Sequence, residues 1–375
     1  MLIHGENLAA MRWLARELSG AVRCIYLDPP FNTGRTFAEY DDARDVGAWR
    51  VMITERLVAA RALLSDDGAI FVEIDDTELA SLHAAMDEVF GRKNRIATIT
   101  IVRSASTGHK AINRGVVNVA DYLLVYARDR AKVRLVPQRR ERRRYDAAYS
   151  TWLENPKDAP AGWTFTPLGK HVASELRSKP TKEQIAAFAI DHAAHVVRFA
   201  QPRYDAVSHD ARKLIDVSRA EPGRVHVLER SRHKAMFLYR GNRVLFLVDK
   251  VTTNDRGARV LVEPLTNVWD DVPFQGIAKE GGVAFIRNKK PERLLARIVA
   301  MASEPGDWVL DPFVGSGTTA AVAHKMGRRW IGIDEGDHVD TMCLPRLRRV
   351  VDGVDATGIT RVTDWRGGGG FSVYA

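Results

Sequence analysis

The chain has 375 residues, 45% hydrophobic and 27% charged, an ordinary globular composition with room for two or three domains, or one large domain with an insertion. It holds no run of about 18 apolar residues, which argues against a membrane span. Met1-Leu2-Ile3-His4-Gly5 has no charged leader or apolar stretch, which argues against a signal peptide. Cys24 and Cys343 form no CxxC and the histidines are scattered, so neither a disulfide framework nor a metal site is expected, and a cytoplasmic location is.

Net charge is +9, with a pI of about 9.6. It is unevenly placed. Residues 128–259 carry 28 Lys+Arg against 15 Asp+Glu, a net of +13, so the rest of the chain sums to −4. A cationic bias spread over a whole segment is the footprint of a polyanion such as nucleic acid; the plainer alternative is a solvated surface.

In chain order, Leu2-Ile3-His4 predicts a short strand. Asn7 to Leu18 predicts a helix, with Leu8, Met11, Leu14 and Leu18 at helical spacing and Gly20 as its stop. The apolar run Cys24-Ile25-Tyr26-Leu27 predicts a buried strand ending at Asp28. A helix is expected over Val46 to Leu64, a turn at Asp66-Asp67-Gly68 and a buried strand over Ala69 to Ile74. Thr77 is expected to cap a helix reaching Phe90; Asp75 and Asp76 either cap that helix or line a pocket. Strands at Ile96 to Val102 and Tyr122 to Tyr126 close this α/β part.

Residues 129–270 break the pattern, with clustered Arg139, Arg140, Arg142, Arg143 and Arg144 and several prolines. Here a helix is expected over Thr181 to Phe199, and strands at Ala235 to Tyr239 and Val244 to Val248. Residues 271–375 return to α/β. A helix runs from Pro291 to Ser303 with proline in first place, followed by a strand Trp308 to Leu310, a Gly-rich loop, a helix Ala320 to Met326 and a strand Trp330 to Ile333. The expected domains are therefore 1–128, an inserted basic 129–270, and 271–375.

Two motifs carry chemistry. Asp28-Pro29-Pro30-Phe31, followed by the turn signal Asn32-Thr33-Gly34, stands at the carboxyl end of a strand, where open α/β sheets place their ligands. Two prolines fix the backbone and remove two donors while their carbonyls still accept. A carboxylate, a fixed carbonyl and a flat ring together suit a planar base that carries an amino group. The second motif is Asp311-Pro312-Phe313-Val314-Gly315-Ser316-Gly317-Thr318-Thr319, between a strand and a helix, with Asp334-Glu335 ending the next strand. Glycines admit close backbone approach, the helix start offers free N–H groups, and the acid suits ribose hydroxyls. A phosphate loop would need Gly-Lys-Thr, and the lysine is missing. The loop accommodates the GxGxxG/A dinucleotide pattern as well as S-adenosylmethionine (SAM), and a tight turn with no ligand is the bland alternative. Hydride transfer has no use for the Asp-Pro-Pro-Phe cluster, whereas methyl transfer to a base amino group does.

Asp28-Pro29-Pro30-Phe31 resembles the DPPY catalytic motif of DNA amino-methyltransferases, and Phe313-Val314-Gly315-Ser316-Gly317 resembles their SAM motif FxGxG. Catalytic motif, basic insert, SAM motif is the order of their β group. The blocks at Ile3–Asn7, Tyr26–Gly34, Phe71–Asp76, Gly276–Gly282, Lys290-Pro291-Glu292, Val309–Asp334 and Trp365–Phe371 are similar to those of the Mod subunits of type III restriction-modification systems. The resemblance implies a circularly permuted Rossmann-like methyltransferase sheet, opened between the second and third strands of the usual order, with the insert as target-recognition domain. It implies Asp28, Pro29, Pro30 and Phe31 as the catalytic set. It implies SAM contacts from Asn7, Lys290, Asp311, Phe313, Gly315, Ser316, Gly317 and Thr318, with Glu6 near the adenine of SAM and Asp334 or Glu335 near its ribose. Phe31 stands where Tyr is commoner and Glu6 where Asp is usual, and the insert is short for a Mod subunit.

The expected function is site-specific methylation of double-stranded DNA at the exocyclic amino group of a flipped-out adenine. Asp28 and the Pro29 carbonyl would accept its two N–H bonds and Phe31 would stack on it. Arg139 to Arg144 would contact phosphates, and His109 and Lys110 either DNA or solvent. Tyr145, Tyr149 and Trp152 are read as core. A homodimer is common in the group, and a restriction subunit is the other partner that the Mod resemblance raises. The rivals are a cytosine-amino or RNA methyltransferase and a non-catalytic SAM- or DNA-binding subunit.

Overall fold

In the computed structural model we describe residues 1–33, 45–104, 116–231, 233–254, 256–284 and 289–375; Gly34, His109 and Lys110 lie outside them. These residues fall into two compact units, Met1–Gln138 with Leu265–Ala375, and Arg139–Pro264. Residues just before the second unit run with the first: Val136 N donates to the Met301 carbonyl and Leu265 N to the Gln138 carbonyl.

The first unit is built on nine strands: β1 (Leu2–His4), β2 (Val22–Leu27), β3 (Leu64–Ile74), β4 (Arg95–Val102), β5 (Ala120–Ala127) and, after the second unit, β15 (Val268–Trp269), β16 (Trp308–Asp311), β17 (Arg329–Asp334) and β18 (Val373–Tyr374). The second unit holds β6 (Arg139–Glu141), β7 (Thr151–Leu153), β8 (Phe165–Pro167), β9 (Val196–Ala200), β10 (His226–Leu228), β11 (Met236–Tyr239), β12 (Asn242–Phe246), β13 (Val251–Thr253) and β14 (Arg259–Pro264). The helices are α1 (Asn7–Leu18), α2 (Val46–Leu63), α3 (Leu79–Phe90), α4 (Leu168–Leu176), α5 (Lys182–Asp191), α6 (His209–Ala220), α7 (Glu292–Ala302), α8 (Thr318–Lys325) and α9 (Leu344–Val351).

The large sheet runs β15-β4-β5-β3-β2-β16-β17-β1-β18. Every pair is parallel except those made by β5. The first strand of the chain, β1, pairs directly with the late strand β17, which is the permuted arrangement. The central strands are buried on both faces, which their unbroken apolar runs require. Tyr26, Phe71, Leu123 and Val309 pack with α7, α8 and α9 on one face. Ile25, Ile70, Leu124 and Leu310 pack with α1, α2 and α3 on the other.

Four local expectations are corrected. Asp66-Asp67-Gly68 is no chain-reversing turn but part of β3, where the pairing slips between Val22↔Leu64 and Cys24↔Ala69 and absorbs the extra residues. A Cβ on Gly68 would sit 2.8 Å from Leu64 Cδ1 and 2.9 Å from the Arg23 carbonyl oxygen, so glycine is needed there. Thr77 caps nothing: its N–H donates to Asp75 Oδ1 (2.9 Å) in a local turn, and α3 starts two residues later behind Glu78. The expected helix Thr181 to Phe199 is α5 followed by a strand. Thr181 and Gln184 form a reciprocal capping box. After His192 the β-branched pair Val196-Val197 joins β9, which bonds β12 and β7. Pro291 is the N-cap of α7, one place before its first turn.

In the second unit, a six-stranded sheet β10-β11-β12-β9-β7-β8 and a three-stranded sheet β13-β14-β6 carry α4 to α6. Tyr149 and Trp152 are core residues there, with Tyr145 packed against them.

Candidate active site

Strand periodicity gathers the acids of the first unit. Side chains two apart share a face. Tyr26 faces α7, so Asp28 beyond it does too; the same parity carries Phe71 to Glu73, Val309 to Asp311, Leu123 to Asp121 and Ile101 to Arg103. Because β5 is antiparallel, its first residues lie at the carboxyl end of the parallel strands, and Asp121 joins the others there.

Lys290, just before α7, drops its ammonium among them. Its Nζ lies 2.9 Å from Asp28 Oδ1, 2.7 Å from Glu73 Oε1 and 5.0 Å from the centroid of the Phe31 ring. Tyr26 Oη donates to Glu73 Oε2 at 2.6 Å, so Glu73 is bonded through both oxygens while fully buried. Arg103 Nε stands 2.8 Å from Asp121 Oδ2. Burial pushes the Asp28 carboxyl up; Lys290 pulls it back, Glu73 raises it again, and the balance is about 6. Burial lifts Asp121 to about 7 against the same lysine. Lys290 is held well above the ordinary lysine range, because Asp28, Glu73 and Asp121 outweigh its own desolvation.

The Asp28 loop is fixed from behind. Buried Trp49 donates Nε1 to the Pro30 carbonyl at 2.7 Å, and Asn32 Nδ2 donates to Glu78 Oε1 at 2.8 Å. Among the described residues no protein donor is aimed at the Pro29 carbonyl. Asp28 keeps 21% of its side chain open, and Phe31 is half-buried against the α1–α3 core. Among the described residues this leaves one Asp28 carboxylate oxygen and the carbonyl of buried Pro29 without a protein donor, beside a Phe31 ring that has the Lys290 ammonium over it.

The Gly-rich turn lies at the end of β16, the neighbour of β2. Asp311 ties the turn to itself: Oδ1 accepts from Phe313 N (3.0 Å) and Oδ2 from Thr319 Oγ1 (2.5 Å), while burial lifts its pKa to about 7. Gly315 has φ of +49°, and a Cβ there would find only the Phe313 carbonyl oxygen, at 3.9 Å. This left-handed torsion, open to glycine, thus faces free space. Gly317 differs: its φ is +80° and a Cβ would press on Cys343 Sγ at 2.8 Å. Asp334 is drawn into the frame, with Oδ2 accepting from Gly315 N (3.0 Å) and Oδ1 from Glu335 N (3.0 Å), and His338 Nε2 3.1 Å from Oδ1. Burial would raise its carboxyl, but His338 and these backbone donors outweigh that and hold it low. Glu335 is exposed.

Glu6 caps α1, accepting from Leu8 N (3.0 Å) and Ala9 N (2.7 Å), and pairs with Arg56 Nη2 at 2.6 Å. Asn7 Nδ2 donates to the Pro312 carbonyl at 2.9 Å, so α1 is pinned to the turn. Ser316 and Thr318 are buried and meet Arg346, whose Nη1 donates to Thr318 Oγ1 at 2.7 Å. Of the residues singled out in the sequence, Lys290 is brought to Asp28, while Asn7, Asp311, Phe313, Gly315 and Asp334 gather at the turn. Asp75 serves its local turn, and Asp76 accepts from Asn118.

The sequence reading assigned no role to Tyr26, Glu73, Arg103, Asp121, Trp49 or Arg346. Glu73 had a signal: a lone acid inside an apolar strand must be paired or neutral. In the second unit, Arg140 pairs with Glu263 (2.9 Å) and Arg142 lies 3.6 Å from Asp146. Arg139 donates to the Asp249 carbonyl at 3.2 Å. Arg143 and Arg144 are exposed, with no ion pair among the described residues.

No helix of the described residues is long and apolar enough to cross a membrane. A Mod subunit described as a probable type III restriction-modification enzyme of Haemophilus influenzae is 29% identical over the whole of this chain, which spans 53% of that relative. The type II methyltransferase M.EcaI of Enterobacter cloacae is 28% identical over 89% of this chain and 66% of its own length. Among solved structures, the cytosine-N4-specific PvuII DNA methyltransferase aligns with 97% of this chain and 90% of its own at 12% identity and a TM-score of 0.46. The chain thus spans about half the length of the first of these relatives. The family described as DNA methylase (N6/N4) matches residues 22–341, and the chain belongs to that family.

Proposed function

We propose that this chain is a site-specific DNA methyltransferase that carries a methyl group from SAM to the N6 amino group of a flipped-out adenine in double-stranded DNA. The observation that carries the reading is the adjacency of β2 and β16. These parallel neighbours pair through Leu310↔Ile25, so Asp28, just past the end of β2, and the Gly315 turn, which follows β16, leave the same edge of the sheet.

The residues fit SAM as a group to be held. A side chain at Gly315 would find open space, and Glu335, just past the end of the next strand, is exposed with no hydrogen bond or ion pair of its carboxylate among the described residues. Asn7, Phe313, Gly315 and Ser316 would hold it, with Asp334 fixing the turn. Bound SAM supplies an electrophilic methyl on a sulfonium.

The chain's own residues prepare the nucleophile. An aromatic amine is a weak nucleophile because its lone pair is delocalised. The free oxygen of Asp28 accepts one N–H and the Pro29 carbonyl the other, and both bonds strengthen as the nitrogen becomes cationic. Lys290 favours the ionised form of Asp28, and Phe31, with that ammonium over its ring, would stack on the base. The nitrogen would bond the methyl carbon as the carbon–sulfur bond breaks with its electron pair left on sulfur, and would lose one proton along the Asp28 bond toward solvent. Flipping the base costs a few kcal/mol, roughly, and the cationic insert, read as the target-recognition domain, would hold the duplex.

The reading puts the chain in the cytoplasm with the DNA it modifies. A homodimer and a restriction subunit are the protein partners that the Mod likeness brings with it; light scattering and co-purification read them. The deciding experiment is transfer of labelled methyl to duplex DNA, with the product digested to nucleosides and weighed. N6-methyladenine is expected. N4-methylcytosine, label on RNA alone, or DNA retention without transfer would each replace the reading by the corresponding rival.

A further inference from the structure

A buried ionic network joins the Asp28 pocket to the Gly-rich turn. Glu292, the first residue of α7, is fully buried. Its Oε1 accepts from Arg346 Nη2 (2.8 Å) and Lys325 Nζ (3.0 Å), and its Oε2 from Lys325 Nζ (2.8 Å) and Ile359 N (3.0 Å). Lys325 also donates to Asp355 Oδ2 at 2.7 Å. Two cations and two carboxylates cancel, which is what allows four charges to share an interior.

Arg346 then reaches the other way, to Thr318 Oγ1 (2.7 Å) and the Ser316 carbonyl oxygen (3.3 Å). Gly281 and Gly358 leave no room for a side chain against Arg346 and Glu292, so the network is closely walled. Two residues before Glu292, Lys290 grips Asp28 and Glu73. Pro291 lies between, with its φ fixed near −67°. One short, stiff segment thus has one end among the acids and the other end, through Arg346, in the turn.

We infer that Glu292 and Arg346 are positioning residues that hold the Asp28 pocket and the Ser316–Thr318 turn as one mechanical unit, so that loosening either loosens both. The catalytic consequence rests on the methyltransferase reading; the linkage itself belongs to the ligand-free chain.

Amide hydrogen exchange on the ligand-free protein tests the linkage. Arg346→Lys keeps the charge beside Glu292 but gives up the reach to the turn; Glu292→Gln removes the charge. Both are expected to speed exchange about tenfold in peptides spanning 289–295 and 312–319 together, with 139–264 unchanged. Acceleration in one peptide alone, or across both units, overturns the inference. Should both variants fail to fold, Thr318→Val is expected to behave as Arg346→Lys and Thr318→Ser as wild type; equal behaviour of the two overturns it.

With SAM and DNA, Arg346→Lys is expected to raise KM for SAM and lower kcat, each about fivefold. The acid limb of kcat should move to higher pH, because a loosened Lys290 no longer offsets the burial of Asp28 and the charges of Glu73 and Asp121, with Arg103 the remaining cation. Loss of active fraction with KM and limb unmoved is the signature of bulk structure and overturns the inference. A wild type that binds no SAM sinks the methyltransferase reading instead, and the exchange data still decide the linkage.

Discussion

The ammonium of Lys290 lies 2.9 Å from Asp28 Oδ1 and 2.7 Å from Glu73 Oε1, so one cation serves two inward-facing carboxylates. Without it, burial and the neighbouring Glu73 charge would push the Asp28 carboxyl further up. With it, the balance at Asp28 comes to about 6, which favours the ionised form at pH 7. On the proposed function, the acceptor that the amino nitrogen needs is kept available at neutral pH by a lysine from a distant part of the chain.

Asp28→Ala should keep SAM affinity and lose at least about a hundredfold in kcat, the scale for removing one preorganised partner of developing charge. Calorimetry with SAM and single-turnover methyl transfer measure the two separately. A variant within twofold of wild type ends the role assigned to Asp28.

Activity should fall as pH drops through about 6, because the working form of Asp28 is the ionised one and protonation removes its acceptor oxygen. In Lys290→Met the counter-charge is gone, the carboxyl pKa rises further, and the acid limb should move up by about one unit or more. A limb that stays in place means Lys290 does not govern Asp28.

Gly315→Val should abolish SAM binding. It forces a β-branched residue to a φ of +49° and fills the free side of the turn. Equilibrium dialysis reads the binding, and a thermal melt separates lost contact from lost fold. Unchanged affinity removes the turn from the SAM site.

Trp49→Phe removes the one described donor to the Pro30 carbonyl while preserving an aromatic side chain. Stability should fall by about 1 kcal/mol, the net value of such a bond. The kcat should fall while SAM affinity holds, since the loop that aims Asp28 loses its rear support. A lower SAM affinity with kcat intact would place Trp49 elsewhere in the mechanism.

Arg143→Ala with Arg144→Ala should weaken DNA binding uniformly across sequences. The plot of log K against log salt should become shallower by about 1.8 if both contact phosphates. Arg140→Ala should instead lower stability through its Glu263 partner. An unchanged salt slope in the double variant would take these two arginines off the DNA.

The sequence by itself determined seven of the nine strands of the large sheet, the two motifs and the basic middle segment, because apolar runs, prolines, glycines and charge act locally or by sum. Asp28 at a strand end and Gly315 in a turn follow from the residues beside them. It misjudged Thr181 to Phe199, where helical spacing continued past the point at which Val196-Val197 found strand partners. Only the tertiary structure decided that β2 lies beside β16, that Lys290 enters the Asp28 cluster, and that Glu73 and Asp121 face it too. Those facts depend on which strands neighbour one another across hundreds of residues. The period-two alternation names the face of each acid, but nothing in one strand says which helix, bearing which cation, will cover that face.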